Sequence, residues 1–221
     1  MSSAPVVGRT GVVKPERRES LREEQKRLTR GRLLDAAVSV FAEKSVINAT
    51  MDDIAKAAGV ARVTVYAHFP GKGDVVRALS ERVYEVLERN YTGLAALPRW
   101  NRPAVRDWLD GVAVLWREIA PILRVVRVAG FADSAAGRSS VEARIHYVEE
   151  HERFASLLTA DVGRWHGEPP QQAHQRALLA LVHVESTLTA WIAAELPLGP
   201  AGPLDLLADS LCHLLGPAVR D

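Results

Sequence analysis

Residues 50–69 read TMDDIAKAAGVARVTVYAHF, and this stretch decides the fold. Thr50 with Asp53 is a shortened capping box, the signature of a helix N-terminus. Gly59 stands where a helix closes in the left-handed region, a conformation that costs a residue with a Cβ about 1 kcal/mol or more. A second short helix then runs from Val60 to Phe69 and is closed by Pro70-Gly71. Helix, glycine turn, short helix is the outline of a helix-turn-helix.

Upstream, Leu33, Leu34, Ala37, Val40 and Phe41 recur at three- and four-residue spacing, which predicts a first helix over 29–43. Residues 1–25 read as a flexible basic tail, because Pro5, Gly8, Gly11 and Pro15 interrupt any period and the charges alternate without an apolar face. The alternative for that tail is an arm that touches DNA phosphate or enters a minor groove. Downstream, a long helix is expected over 73–96, with Val76, Leu79, Val83, Val86 and Leu87 inward. Others are expected from Pro103 to Ile119, from Pro121 to before Gly130, over 140–165 with Ser139 and Glu142 as a capping box, over 171–195, and over 204–215. About nine helices and no convincing strand make the chain all-α, with a three-helix N-terminal unit over 26–75 and a larger helical unit over 76–221.

The 221 residues are 48% hydrophobic and 25% charged, ordinary for a soluble globular chain and too apolar for a disordered one. The single cysteine, Cys212, excludes an internal disulfide framework. There is no secretory signal and no apolar run near the roughly 20 residues that span a bilayer, so a soluble, cytoplasmic protein without a membrane partner is expected. The net charge of +1 conceals an asymmetry: residues 1–75 carry 13 Lys and Arg against 9 Asp and Glu, and the rest 15 against 18. A polyanion partner would meet the N-terminal part.

Catalytic chemistry has little to stand on. There is no phosphate loop, dinucleotide fingerprint or nucleophile elbow. His146 and His151 are five residues apart, about 140° around a helix, so they share no metal-binding face and read as a solvated surface. His183, within an apolar helix, reads as a core histidine. Neither an enzyme nor a metal or cofactor site is expected; an all-α carrier or enzyme with an incidental helix-turn-helix is the rival reading.

From Thr29 to Asp74 the sequence resembles the TetR family of bacterial transcriptional regulators. The residues that carry the resemblance are Arg32, Leu34 to Ala37, Phe41 to Glu43, Thr50 to Ala55, Ala58 to Val60, Thr64 to Tyr66, His68, Phe69 and Lys72. Two departures stand out. Ser45 occupies the place where a glycine usually ends the first helix, and Arg62-Val63 replaces the common small pair that opens the recognition helix. The resemblance implies a ligand-responsive regulator, a repressor that leaves a palindromic DNA operator when a small molecule binds the C-terminal unit. It implies DNA contacts from Thr50, Ala61, Arg62, Thr64, Tyr66, His68 and Lys72. Thr50 would offer its hydroxyl to a phosphate, and Tyr66, His68 and Lys72 would anchor the backbone. Arg62 either reads guanine or clamps a phosphate. Asp52 and Asp53 would face outward near DNA, so at least one is expected to cap its helix rather than touch the backbone.

A single such module makes few base contacts, so a homodimer is implied. Leu204, Leu207, Leu211 and Leu214 repeat at 3-4-3 spacing and are either a dimer interface or intramolecular core. Trp108, Val112 and Trp116, then His183, Thr187 and Trp191, then Tyr147 and Phe154, form three aromatic-bearing stripes. They either line a pocket for a hydrophobic or aromatic effector or are plain core.

Overall fold

The computed structural model describes residues 15–134, 139–192, 198 and 202–216, with side chains from 20–126, 145–192, 198 and 202–216. The described residues hold eight α-helices, one 3-10 turn and no strand. In order they are α1 (Pro15–Asn48), α2 (Met51–Ala58), α3 (Arg62–His68), α4 (Lys72–Ala96), α5 (Arg102–Ser134), α6 (Ser139–Thr159), the 3-10 turn Val162–Trp165, α7 (Pro170–Ile192) and α8 (Leu204–Leu215). None of the described helices is long and apolar enough to cross a membrane.

Three boundaries differ from the sequence reading. The first helix begins at Pro15 rather than Thr29, so the expected tail is helical from there on, while residues 1–14 lie outside the described residues. Residues 20–28 are exposed on every side. Their helicity comes from strong helix formers such as Leu, Arg, Glu, Lys and Gln rather than from an apolar face.

The helices expected on either side of Pro121 are one helix, α5, which leaves eight helices instead of nine. An internal proline removes a backbone hydrogen bond and costs about 3 kcal/mol. Trp116, Ile119, Ile122 and Val125 are buried on both sides of it, and their packing offsets that cost. Finally, α6 stops at Thr159, and the Asp161 carboxylate accepts from the Gly163 N–H at 3.2 Å to start the 3-10 turn. The side chains of the expected Ser139–Glu142 capping box lie outside the described residues, as do residues 193–195 of the predicted seventh helix.

The expected turn chemistry is present. Thr50 and Asp53 form a reciprocal capping box on α2. Gly59 closes the helix at φ 66°, with its N–H on the Ala55 and Lys56 carbonyls. The Val60 N–H also reaches the Ala55 carbonyl, at 3.1 Å. No atom would crowd a Cβ at Gly59, so glycine is needed there for its backbone angle and not for space.

Val65 and Phe69 of α3 are buried with Leu33, Ile54 and Leu79, while Val60 is half-buried. Helix α4 places Val75, Ala78 and Leu79 in this N-terminal core and Val83, Leu87, Tyr91 and Leu94 in the larger one. Helix α5 packs on α1, α4 and α8, and α7 packs on α5, α6 and α8.

Ser45, the residue standing in for the usual glycine, adopts φ 64° and ψ 158°. This region of backbone space is essentially restricted to glycine, and holding another residue there costs of order 1–3 kcal/mol. Ser45→Gly is therefore expected to stabilise the protein by about 1 kcal/mol, part of the relief being lost to the greater entropy of an unfolded glycine. Urea unfolding at fixed protein concentration checks this; an unchanged or lower midpoint would contradict the strain.

Candidate nucleic-acid interface

Helix α3 turns one face inward and one outward. Arg62, Val63, Tyr66 and Ala67 form the outward face, with Val63 74% exposed. Ala61 precedes the helix and is exposed; as its N-cap it makes no side-chain hydrogen bond. Thr64 is half-buried beside them, its N–H on the Ala61 carbonyl at 2.9 Å.

Arg62 is engaged on two sides. Its Nε lies 2.9 Å from Asp52 Oδ1, and its Nη1 donates to Asp52 Oδ2 at 3.2 Å. Its Nη2 donates to the Tyr66 hydroxyl at 3.4 Å, and the guanidinium carbon sits 5.3 Å from the centre of the Tyr66 ring.

The other expected contacts are placed differently from the sequence reading. Thr50 is occupied as a cap: its N–H and its hydroxyl both donate to Asp53 Oδ2, at 3.0 and 2.8 Å. The hydroxyl that was expected on a phosphate therefore serves the helix. The Lys44 ammonium, 2.7 Å from Asp53, together with the Thr50 bonds holds the Asp53 carboxyl at about 2. Asp53 is thus the capping acid of the adjacent pair.

The Lys72 ammonium donates to the Val46 and Ile47 carbonyls, each at 2.9 Å, so its charge caps the end of α1 rather than pointing outward. His68 is half-buried at the end of α3. Burial, then the charges of Lys26 and Arg30, push its pKa below the ordinary 6.5, which favours a neutral ring. One outward residue is absent from the expected contacts: Val63, whose place beside Arg62 in the first turn of α3 is the available signal.

A family model described as bacterial regulatory proteins, tetR family, matches residues 33–79. SrpR of Pseudomonas putida, an HTH-type transcriptional regulator, is 40% identical over 84 residues, 38% of this chain and 39% of its own length. The chain thus spans only about two fifths of that relative. EthR of Mycobacterium tuberculosis is 28% identical over 190 residues, covering 82% of each chain. Among solved structures, the SmeT–triclosan complex superposes with a TM-score of 0.63 at 21% identity, over 85% of this chain and 90% of that one. Residues 33–79 thus match the tetR-family model, and the chain as a whole shares its fold with the SmeT structure.

The three aromatic stripes all lie in the larger helical unit. Val112, Trp116 and Phe154 are fully buried, with the Trp116 indole N–H on the Thr189 hydroxyl at 3.1 Å. Trp108 donates to the Asn90 carbonyl at 3.1 Å. His183 and Thr187 pair with each other at 3.5 Å. Trp191 lies under the Arg117 guanidinium, which is 5.1 Å from its ring centre, and against Gly202, where a Cβ would clash with the indole. A half-open cleft of about 660 Å³, lined by Trp100, Asn101, Arg164, His166 and Gly216 among others, includes none of these residues.

The element that sequence reasoning missed is a buried polar network. Tyr91 of α4 donates to Glu185 Oε1 at 2.9 Å. His151 Nε2 lies 2.9 Å from Glu185 Oε2, and its Nδ1 lies 2.7 Å from the Tyr147 carbonyl. His151 is only 4% exposed, so the expected solvated face at His146–His151 is corrected. Phe154 stacks 5.1 Å from Tyr91, and Tyr147, partly exposed, lies 3.9 Å from the His151 ring. The signal was Glu185 itself, the only Asp, Glu, Lys or Arg between Ala177 and Ile192, where a charge must find a partner.

The leucine repeat is also resolved. Leu204, Leu207 and Leu211 are buried in the chain's own core, and Leu214 is half-buried. Leu204, Leu207 and Leu211 therefore pack inside the chain, and among the described residues Leu206, 76% exposed, with Leu179 and Val182, faces outward on these helices.

Both ring nitrogens of His151 face acceptors, which calls for an imidazolium. Burial opposes that charge, but Glu185 and the Tyr147 carbonyl outweigh it and raise the His151 pKa above the ordinary 6.5. A raised folded-state pKa gives stability that is fully present below the unfolded value and is lost as pH rises through the folded one. The urea midpoint should fall as pH is raised from 6.5. Glu185→Gln should flatten that dependence, and an equal slope in both proteins would contradict the charged pair.

Proposed function

We propose that the protein is a homodimeric, ligand-responsive transcriptional repressor of the cytoplasm that leaves a two-fold DNA operator when a small molecule binds its C-terminal domain. The observation that carries this reading is the outward face of α3: a cation, an exposed valine and a phenol on a helix whose opposite face is locked into the core by Val65 and Phe69. A helix so presented fits a major groove, with its N-terminal residues at the base edges. SrpR and EthR are transcriptional regulators by name.

In this reading Arg62 reads guanine N7 and O6, and Val63 and Ala67 meet thymine methyl groups. Ala61 and Thr64 bring the start of α3 against the groove wall. The Tyr66 hydroxyl, which accepts from Arg62, keeps its own hydrogen for a phosphate oxygen. His68 gains a proton as it approaches phosphate, while Thr50 and Lys72 act by holding the helices in place. Leu206, Leu179 and Val182 supply the surface that pairs two copies.

The effector is a hydrophobic or aromatic molecule received near Trp108, Trp116, Phe154 and the Tyr91–Glu185–His151 network; SmeT, a structural neighbour, has been solved with triclosan. Its signal leaves through α4, which carries Tyr91 at one end and packs against the DNA-binding core at the other. Coupling of 1–3 kcal/mol between the two ligands corresponds to roughly 5- to 150-fold in DNA affinity.

Selection of genomic fragments with the purified protein at about 150 mM salt, where non-specific binding is weak, tests the reading. The expected result is an inverted repeat with half-sites roughly 34–36 Å apart. Sequence-blind binding, or none, would overturn it. Leu206→Asp is expected to shift the protein to monomer in sedimentation and to abolish recovery of the repeat. An intact dimer would move the interface off this face of α8.

A further inference from the structure

Two acids stand side by side in the first turn of α2, and their surroundings give them different work. Asp53 is consumed by its helix cap and by Lys44. Asp52 takes no part in the cap; it reaches across to Arg62 at the start of the next helix. Both members of this second pair are substantially exposed, at 46% and 65%, so the contact is not a product of burial. It also sits on the face proposed to meet DNA, where an unpaired carboxylate would repel phosphate.

We infer that Asp52 is a specificity-determining positioning residue, which holds the Arg62 guanidinium away from the DNA backbone and aims its remaining donors at a base edge. The inference rests on the DNA-binding reading above. Arginine carries five N–H donors in a fixed planar fork. Asp52 engages no more than two of them, through Nε and Nη1, and the Tyr66 hydroxyl takes one at the long distance of 3.4 Å. Enough donors remain for a bidentate contact with guanine.

The same contact removes Arg62 from phosphate binding. A paired arginine carries no net charge with its partner, so it releases no counterion and adds little to sequence-blind affinity. An untethered arginine on this helix would be drawn to the nearest phosphate, which is a stronger electrostatic target than a base and carries no sequence information. The Tyr66 ring beneath the guanidinium, 5.3 Å from it, restricts the side chain further.

The test uses the full chain and a randomised duplex pool at about 150 mM salt, followed by affinities for the selected duplex, its base substitutions and an unrelated duplex of equal length. Arg62→Ala identifies the base pair that Arg62 reads. At that pair Asp52→Ala is expected to erase most of a preference of roughly 5- to 150-fold. It should also bind the unrelated duplex more tightly, with a log–log salt slope steeper by about 0.9, one additional phosphate contact. Asp52→Asn, which keeps the shape and one acceptor, is expected to lie between wild type and Asp52→Ala, and it carries the test if the alanine variant fails to fold. In an Arg62→Ala background, Asp52→Ala should leave base preference unchanged.

Three results would overturn the inference while leaving the DNA-binding reading intact. They are full discrimination in Asp52→Ala, an equal gain for every duplex with or without Arg62, and an Arg62→Ala variant that relaxes no base pair. If the wild-type chain selects no sequence, both readings fall together.

Discussion

The larger helical unit is organised around one carboxylate that cannot be left alone. Glu185 lies on α7 among buried apolar neighbours, Leu181, Val184 and Leu188, and an unpaired charge there would be costly. The Tyr91 hydroxyl from α4 and the His151 ring from α6 both reach it. Three helices are thereby fixed at one point by directional bonds, whereas apolar contacts alone would let them slide. Because α4 continues into the N-terminal core, the position of α3 is referred back to that carboxylate. A rigid helix of 25 residues, about 37 Å long, connects the two. In the proposed reading, a molecule that competed for Tyr91, His151 or Glu185 would act on the end of this lever.

Many charges of the N-terminal unit are paired, within the unit or with α4. Lys44 pairs with Asp53, Arg62 with Asp52, Arg82 with Asp35 and Arg30 with Glu81, while Lys72 serves two backbone carbonyls. Pairing leaves the net excess of four basic residues over 1–75 unchanged, 13 against 9, but ties individual cations to named partners. Exposed pairs of this kind add little to stability, typically under 1 kcal/mol. Their effect is to fix side-chain directions and to reduce indiscriminate attraction to polyanions. On this surface selectivity has to come from the placement of a few groups rather than from bulk charge.

What was legible in the sequence was local. Thr50 with Asp53, Gly59 and the apolar stripe of α1 are signals a few residues long, and the structure carries them unchanged because each satisfies its own backbone. What escaped depended on distant partners. Pro121 reads as a helix break until Trp116, Ile119, Ile122 and Val125 are seen to pack on both sides of it. The leucines of α8 have the spacing of an interface, and nothing in that spacing distinguishes a second copy from α5 and α7, which actually cover them. His151 was hidden among the glutamates of α6, which mark a solvated face until Glu185, 34 residues away, is brought beside it. The Arg62–Asp52 pair spans a turn whose geometry Gly59 sets. Both residues could be named from sequence, but not their contact.

The end of α1 shows how the two units share a junction. Strained backbone persists only where its surroundings over-determine it. Ser45 is held from two directions: by buried Ala49, whose N–H meets the Ser45 carbonyl, and by Lys72 on the next two carbonyls. Lys72 is also the first residue of α4. The helix that carries Tyr91 at its far end therefore starts by gripping the strained turn, and a rotation of α4 would loosen that grip. The strain of order 1–3 kcal/mol at Ser45 is the same size as a typical coupling energy between two ligand sites. A response transmitted through α4 would then need no large rearrangement, because the turn it must release already lies uphill in free energy.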